Sequence, residues 1–208
     1  MMLYIIRHGE TEWNKVKRLQ GQTDIPLAEE GIRLARETGI GMRNLPIDLV
    51  ISSPLTRAVQ TARLLTEGRE VPIVTDDRVI EISFGDWEGE CILDSDVLPP
   101  DFRKLFYENP LHCMCPPGGE TFDDVRRRTG DFFDSLVANP EYKDKHILIS
   151  THGAASRCLL TQFYEDKDDI WRGGVPKNCA VTIVEVKGGI GKVVEKDRLF
   201  YDAMPATE

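Results

Sequence analysis

Two arginines and two histidines stand at or just beyond the ends of apolar runs in this sequence, and together they could bind and transfer an anionic group. The run that begins at Leu3 ends in Arg7 and His8, a run near the C-terminus leads to His152, and Arg57 follows a third run. Arginine holds phosphoryl oxygens through paired hydrogen bonds, and a neutral histidine nitrogen is a nucleophile toward phosphorus. None of the residues at these positions is acidic. We therefore predict a phosphate site built from these four side chains.

The elements that must position these side chains alternate between strand and helix patterns, which predicts βαβ units. Ligands of open α/β sheets bind outside the carboxyl ends of the strands, where the four residues would meet. The expected fold is α/β: a single three-layer α/β/α domain over residues 1–208 with a mainly parallel central sheet. After the first strand, the predicted strands are Ile47–Ile51, Val71–Thr75, His146–Ser150, Ala180–Val186 and Val193–Asp197, and the predicted helices include Ala28–Asn44 and Ala154–Tyr164.

Capping signals mark the starts of two further helices. Ser53 and Pro54 are a good N-cap and a good first helical residue. Thr121 and Asp124 resemble a capping box in which aspartate replaces the usual glutamate or glutamine. We therefore predict one helix that begins at Pro54 and another that begins directly after Thr121.

Residues 88–118 are too long for a plain connection between two elements. The segment carries five prolines and one short helical pattern, Asp101–Tyr107. Its six acidic residues are opposed by only two basic ones, Arg103 and Lys104. We interpret segment 88–118 as an insertion within the domain that forms a lid over the site. Its acidity would repel highly anionic substrates.

Composition and charge limit the classes of partner. The formal net charge of −9 argues against nucleic acid and anionic membranes, which demand a basic face. No stretch of the sequence approaches an apolar membrane span. Five scattered cysteines are typical of reduced thiols and predict a cytoplasmic protein. Their only cluster, residues 112–115, matches no usual zinc spacing, so no metal site is predicted.

Transfer of the phosphoryl group leaves an alkoxide that needs a proton, so a carboxylic acid should lie near the predicted phosphate site. Glu81 is the choice, because it follows a short strand-like run and precedes Phe84–Trp87. Glu10, Glu88 and Glu90 lie close to the same motifs in sequence and are the alternatives.

Several motifs accompany these residues in a fixed order, and together they resemble the histidine phosphatase superfamily, also called the phosphoglycerate mutase-like family. The resemblance covers the chain from its start to about residue 190. Each motif alone is weak, but their joint order and spacing are specific. The matching segments are Arg7–Thr11 with Trp13 and Asn14, Gln20 and Gly21 with Asp24, Pro26, Leu27 and Gly31, Ser52–Ala58 with Gln60–Ala62, Glu81 with Phe84–Gly89, Pro117–Thr121, and Thr151–Gly153.

The resemblance implies a role for each matched residue. His8 is the phosphorylated nucleophile, Arg7, Arg57 and His152 form the phosphate pocket, and Glu81 is the proton donor. No metal and no organic cofactor is implied. The residues that would line the pocket are Asn14, Gln20, Gly21 and Gly153.

These expectations describe a metal-independent phosphomonoester hydrolase that acts on a small phosphorylated metabolite through a phosphohistidine on His8. The alternative is a cofactor-dependent phosphoglycerate mutase. Such mutases resemble this chain but carry a longer insertion with added basic residues, and no equivalent basic pair aligns within segment 88–118. A third hypothesis is a phosphate-sensing or scaffolding protein with an inactive site. A phosphoprotein substrate also stays open at this point.

Overall fold

The computed structural model describes residues 1–201, and within them a six-stranded sheet carries helices on both faces. The sheet order is β3-β2-β4-β1-β5-β6. The four strands β1 to β4 pair in parallel, whereas β5 is antiparallel to both β1 and β6. This arrangement confirms the predicted α/β fold with a mainly parallel sheet. The strands are β1 Met2–Arg7, β2 Leu49–Ser52, β3 Ile73–Thr75, β4 His146–Thr151, β5 Val181–Lys187 and β6 Ile190–Arg198.

The helices agree with the predictions in place but differ at their ends. The helix predicted over 154–164 stops at Leu160 and continues as one 3₁₀ turn. The capping box at Thr121 is confirmed, since its hydroxyl accepts from the Asp124 N–H and the Asp124 carboxylate accepts from the Thr121 N–H. The helices are α1 Glu12–Lys15, α2 Glu29–Gly41, α3 Thr56–Leu65, α4 Phe102–Glu108, α5 Phe122–Ala138 and α6 Gly153–Leu160.

The predicted helix start at Ser53 and Pro54 is wrong. Helix α3 begins at Thr56, and its N-cap is Leu55. The Ser53 hydroxyl instead lies 2.7 Å from Nε2 of His152, a residue 99 positions away. The Ser53 side chain, which the local sequence pattern predicts to be the N-cap of α3, therefore makes a tertiary contact instead.

Alternate residues of β1 enter two separate apolar layers. Leu3 and Ile5 pack on the side of α5 and α6, while Tyr4 and Ile6 pack on the side of α2 and α3. Because both faces of the sheet are covered, its central strands are nearly continuous apolar runs. This double burial leaves the strand ends as the places where polar side chains can emerge.

Segment 88–118 packs through aromatic rings against α5, α6 and the loop before β5. Phe102 and Phe106 of α4 are almost fully buried in a cluster with Trp171. The Phe106 and Trp171 rings lie 5.1 Å apart, and the Trp171 indole N–H donates to the Phe106 carbonyl. Helix α4 is thus anchored to the loop before β5 by buried rings and a hydrogen bond.

The part of the chain that the structure describes, residues 1–201, contains no helix long and apolar enough to cross a membrane. The predicted domain extends to residue 208, so its last seven residues lie outside the described part.

Candidate active site

The parallel pairing of β1 with β4 brings the two predicted site histidines together. Arg7 is in register with Thr151, and the His8 N–H donates to the Thr151 carbonyl at 2.9 Å. His8 and His152 therefore leave adjacent strands at the same level, with ring centroids 5.1 Å apart. Residues 144 positions apart in sequence become neighbours because parallel strands align their carboxyl ends.

The His8 ring is held in one orientation with one nitrogen free. Its Nδ1 lies 2.7 Å from the Gly9 carbonyl oxygen, which can only accept, so Nδ1 carries the proton. The Nε2 atom then keeps its lone pair. Burial, reinforced by the charges of Arg57 and Arg7, lowers the pKa of His8 well below its usual range. A neutral imidazole with an available Nε2 is the form that can attack phosphorus.

Arg57 is fully buried, and its guanidinium is fixed by the loop that follows α1. It donates to the carbonyls of Gly21 at 2.6 Å and Thr23 at 2.9 Å. Its Nε is buried and has no partner within residues 1–201. Burial lowers the pKa of Arg57 to about 10, so the side chain stays cationic at neutral pH. An orphaned donor on a buried cation is suited to an anionic ligand.

Arg7 presents a second guanidinium to the same cleft. It donates to the Pro176 carbonyl, and its Nε has no partner among the described residues. Gly153 lies beside it: a Cβ at that position would stand 3.8 Å from Arg7 Nε and 3.7 Å from Glu81 Oε2. The absence of a side chain at Gly153 therefore keeps the space between the cation and the carboxylate open.

Glu81 reaches the cleft from the loop after a 3₁₀ turn, and the start of α6 holds its carboxylate. Oε1 accepts from the N–H groups of Ala155 and Ile82, each at 2.9 Å, and Oε2 accepts from Ala154 at 3.3 Å. Arg128 fixes the loop itself, because its guanidinium donates to the Glu81 carbonyl at 3.0 Å. The Glu81 carboxylate is thereby placed at the edge of the site that Arg7 and Arg57 form.

A cleft of about 250 Å³ collects most of the predicted site residues. His152 is the exception: it is not among the residues that line the cleft. Its ring lies beside that of His8, and its Nδ1 is buried and has no partner within residues 1–201. The predicted residues that line the cleft are Arg7, His8, Asn14, Gln20, Gly21, Arg57, Glu81 and Gly153.

Asn14 and Gln20 are joined through one threonine. The Thr11 hydroxyl donates to Gln20 Oε1 at 2.9 Å, and Asn14 Oδ1 accepts from the Thr11 N–H at 3.1 Å. Asn178 donates a further, longer bond to Asn14 Oδ1 at 3.3 Å. Their oxygens face these donors, so each amide can direct its N–H₂ group toward an anion in the cleft.

Glu88, considered in the sequence only as an alternative acid, organises the loop that holds Arg57. Its carboxylate accepts from the N–H groups of Gln22 at 2.8 Å and Thr23 at 2.7 Å, and from the Thr23 hydroxyl. It does not line the cleft. No local motif announces this role, because residues 22 and 88 meet only in the folded chain.

Sequence reasoning also missed the outer part of the cleft, away from His8. Lys17 and Arg18 stand there opposite apolar side chains from segment 88–118 and from the loop before β5. Two consecutive basic residues just before the Gln20–Gly21 motif were a signal that could have been used. The missed aromatic and aliphatic lining residues are Leu19, Phe84, Ile92, Phe106, Tyr107, Ala154, Trp171 and Val175.

The fold and cleft together define an α/β protein with a cationic site at the carboxyl ends of its parallel strands. A family model described as the histidine phosphatase superfamily, branch 1, matches residues 3–197. The chain therefore belongs to the histidine phosphatase superfamily and is an enzyme of that superfamily.

Two relatives and one solved structure illustrate the similarity. The chain is 37% identical over 158 residues to the "Uncharacterized phosphatase PhoE" of Bacillus subtilis (strain 168), which is 76% of this chain and 75% of that protein. It is 37% identical over 188 residues to the "Probable phosphoglycerate mutase GpmB" of Yersinia pestis (strain Pestoides F), or 89% of this chain and 85% of that protein. Bacillus stearothermophilus YhfR superposes with a TM-score of 0.88 at 34% identity, covering 96% of this chain and 98% of that chain.

Proposed function

We propose that this protein is a metal-independent phosphomonoester hydrolase that acts on a small phosphorylated metabolite through a phosphohistidine on His8. The observation that carries the proposal is the His8 ring, whose Nε2 is free and whose neutral form is favoured by burial beside Arg7 and Arg57. A cleft of about 250 Å³ suits a metabolite better than a folded phosphoprotein. A cytoplasmic location stays a prediction from the cysteine pattern.

The proposed reaction has two steps. In the first, His8 Nε2 attacks phosphorus, the bond from phosphorus to the ester oxygen breaks, and Glu81 donates a proton to the departing alkoxide. In the second, water attacks the phosphohistidine, the phosphorus–nitrogen bond breaks, and Glu81 takes a proton from that water. Arg7 and Arg57 neutralise the phosphoryl oxygens in both steps.

The residues that segment 88–118 contributes to the cleft favour hydrolysis over mutase activity. They are Ile92, Phe106 and Tyr107, whereas Arg103 and Lys104 are exposed and do not line the cleft. A mutase must hold a phosphorylated acid long enough to return the phosphoryl group. Segment 88–118 supplies no cation for this, and the additional cations that line the cleft, Lys17 and Arg18, are exposed at its rim. None of the acids of segment 88–118 lines the cleft, so the predicted repulsion of highly anionic substrates would act only from outside it.

A direct comparison of the two fluxes tests the proposal. Mutase flux between 2- and 3-phosphoglycerate is measured by an enolase-coupled assay with 2,3-bisphosphoglycerate present, and phosphate release is measured on a panel of monoesters. We expect hydrolysis of at least one monoester and slow or undetectable mutase flux. Mutase flux well above phosphate release would reject the proposal.

Two further measurements test the mechanism itself. Rapid quench with labelled substrate should trap an acid-labile, alkali-stable adduct on His8, as a phosphorus–nitrogen bond requires. Hydrolysis should also survive dialysis against EDTA, since the two arginines supply the positive charge that a divalent ion supplies elsewhere. Label on another residue, or activity restored only by a divalent ion, would contradict the mechanism.

A further inference from the structure

Two exposed cations stand at the mouth of the cleft without an acidic partner. Lys17 and Arg18 both line the outer part of the cleft, and neither forms an ion pair with any of residues 1–201. Lys15, two positions earlier, differs on both counts, because it pairs with Glu12 at 2.7 Å and does not line the cleft. The mouth therefore carries positive charge that the described part of the chain leaves uncompensated.

The backbone that carries these cations is held in place by the start of segment 88–118. Lys17 has a left-handed φ of 57°, and its carbonyl accepts from the Ile92 N–H at 3.0 Å. The Leu19 N–H donates to the Glu90 carbonyl at 2.9 Å, while the Leu19 carbonyl accepts from the Gly89 N–H at 2.8 Å. Strained backbone of this kind persists only where its surroundings fix it. The two side chains thus start from a defined position at the rim.

The rest of the outer cleft is mainly aromatic and aliphatic. Leu19, Phe106 and Tyr107 of α4, Trp171 and Val175 line it. Glu81 is the sole acidic residue among those of residues 1–201 that line the cleft, and it belongs to the phosphate end. A ligand that fills the cleft would meet rings along its length and two positive charges at its outer end.

We infer that the outer cleft selects phosphomonoesters whose leaving group has an apolar body and a second anionic group, which Lys17 and Arg18 recognise. A carboxylate is the simplest such group, since both an ammonium and a guanidinium donate hydrogen bonds to it. The apolar body is desolvated against the rings of the outer cleft while the anion stays at the wet rim. This inference rests on the proposed hydrolase function.

A matched pair of substrates isolates the contribution of the second anion. The probes are 4-carboxybenzyl phosphate and 4-methylbenzyl phosphate, whose leaving alcohols are similar in size and reactivity. The readout is the ratio of kcat/KM for the carboxylate to that for the methyl compound, so loss of folded enzyme cancels. The variants are Lys17→Ala, Arg18→Ala, the double variant and, as control, Lys15→Ala.

We expect the wild-type protein to favour the carboxylate substrate. Each single variant should lower the ratio by about two- to fivefold and the double variant by about tenfold, as exposed ion pairs typically contribute. Lys15→Ala should keep the wild-type ratio. A preference for the methyl compound, an unchanged ratio in the double variant, or an equal fall in Lys15→Ala would overturn the subsite while leaving hydrolysis intact. If no monoester releases phosphate, the proposed function fails and this inference fails with it.

Discussion

The two ends of the cleft are built in opposite ways. At the inner end, His8 and Arg57 are 3% and 0% exposed, and hydrogen bonds to backbone carbonyls hold both side chains. At the outer end, Lys17 and Arg18 are exposed, and neither pairs with an acid of the described chain. A buried group held by hydrogen bonds has one position and one protonation state, which suits chemistry. An exposed rim tolerates substitution, which suits the recognition of different leaving groups.

The largest effect expected from this contrast comes from removing the nucleophile at the inner end. His8→Ala removes the nitrogen proposed to accept the phosphoryl group, so kcat should fall by about 10⁴–10⁶-fold on every substrate. Steady-state phosphate release measures the fall. His112→Ala is the control, because it removes an exposed imidazole of segment 88–118. Activity of His8→Ala within tenfold of the wild type would place the nucleophile elsewhere.

Replacing the proposed acid should separate substrates by their leaving groups. Glu81→Gln should slow alkyl phosphates by roughly 10²–10⁴-fold, the usual contribution of a general acid. It should slow p-nitrophenyl phosphate much less, because that leaving group departs as a stable anion. The two rates are compared within each variant.

Glu10→Gln is the matched control for the acid, and it should show no dependence on the leaving group. An equal loss on both substrates in Glu81→Gln would remove Glu81 from proton transfer.

Glu88 supports the loop that holds Arg57, and its replacement should affect binding of the phosphate itself. Glu88→Gln replaces a carboxylate that accepts from the Gln22 and Thr23 N–H groups by an amide that is partly a donor. The loop is then less well fixed, and its carbonyls no longer hold the Arg57 guanidinium in one position. We expect kcat/KM to fall about tenfold, a cost typical of charge-assisted hydrogen bonds. The fall should be the same for alkyl and p-nitrophenyl phosphates.

Glu90→Gln provides the comparison for Glu88→Gln. The Glu90 carboxylate accepts from the Ser95 hydroxyl at 2.6 Å and, within the described chain, makes no hydrogen bond to the loop of residues 21–23. Its replacement should leave the phosphate end unchanged. A leaving-group dependence in Glu88→Gln would instead make Glu88 the acid.

The buried imidazoles should also make stability depend on pH. Burial, followed by the charge of Arg57, lowers the pKa of His8 and of His152 in the folded protein. The unfolded chain therefore binds more protons below about pH 6.5, and the free energy of unfolding falls as the pH drops. Each histidine contributes up to about 1.4 kcal/mol per pH unit.

Urea denaturation at several pH values measures this slope. His152→Gln should reduce it by about 1.4 kcal/mol per pH unit below pH 6.5 relative to the wild type. His112→Gln, at an exposed position, should keep the wild-type slope. Equal slopes in the wild type and in His152→Gln would show that His152 does not resist protonation.

The sheet and the inner end of the cleft were largely predictable. Apolar runs that end in Arg7, His8 and His152 indicate strands buried on both faces, and βαβ alternation makes them parallel. Helix ends were less predictable, because Ser53 has every property of an N-cap, yet its hydroxyl contacts His152. The contact between the rings of His8 and His152, whose centroids lie 5.1 Å apart, also follows from packing.

The outer end could not be predicted, because its parts are distant in sequence and carry no shared pattern. Lys17 meets Ile92, and Trp171 donates to the Phe106 carbonyl, through contacts that no periodicity encodes. The acidity of segment 88–118 was visible but misleading, since composition does not tell which way a side chain points. Its cleft-facing residues are apolar.

What the sequence alone determined is the chemistry that the strand ends can present. Hydrophobic burial is local in its pattern, so an apolar run followed by Arg7 and His8 already specifies a buried strand with two polar groups at its end. Only the tertiary structure decided which loops surround those groups. These loops supply the carbonyls that accept from Arg57, the Glu88 carboxylate that fixes the same loop, and the cations Lys17 and Arg18 at the rim of the cleft. Such contacts join chain segments that are distant in sequence, and their energies depend on the distances and orientations that these segments adopt in the folded protein.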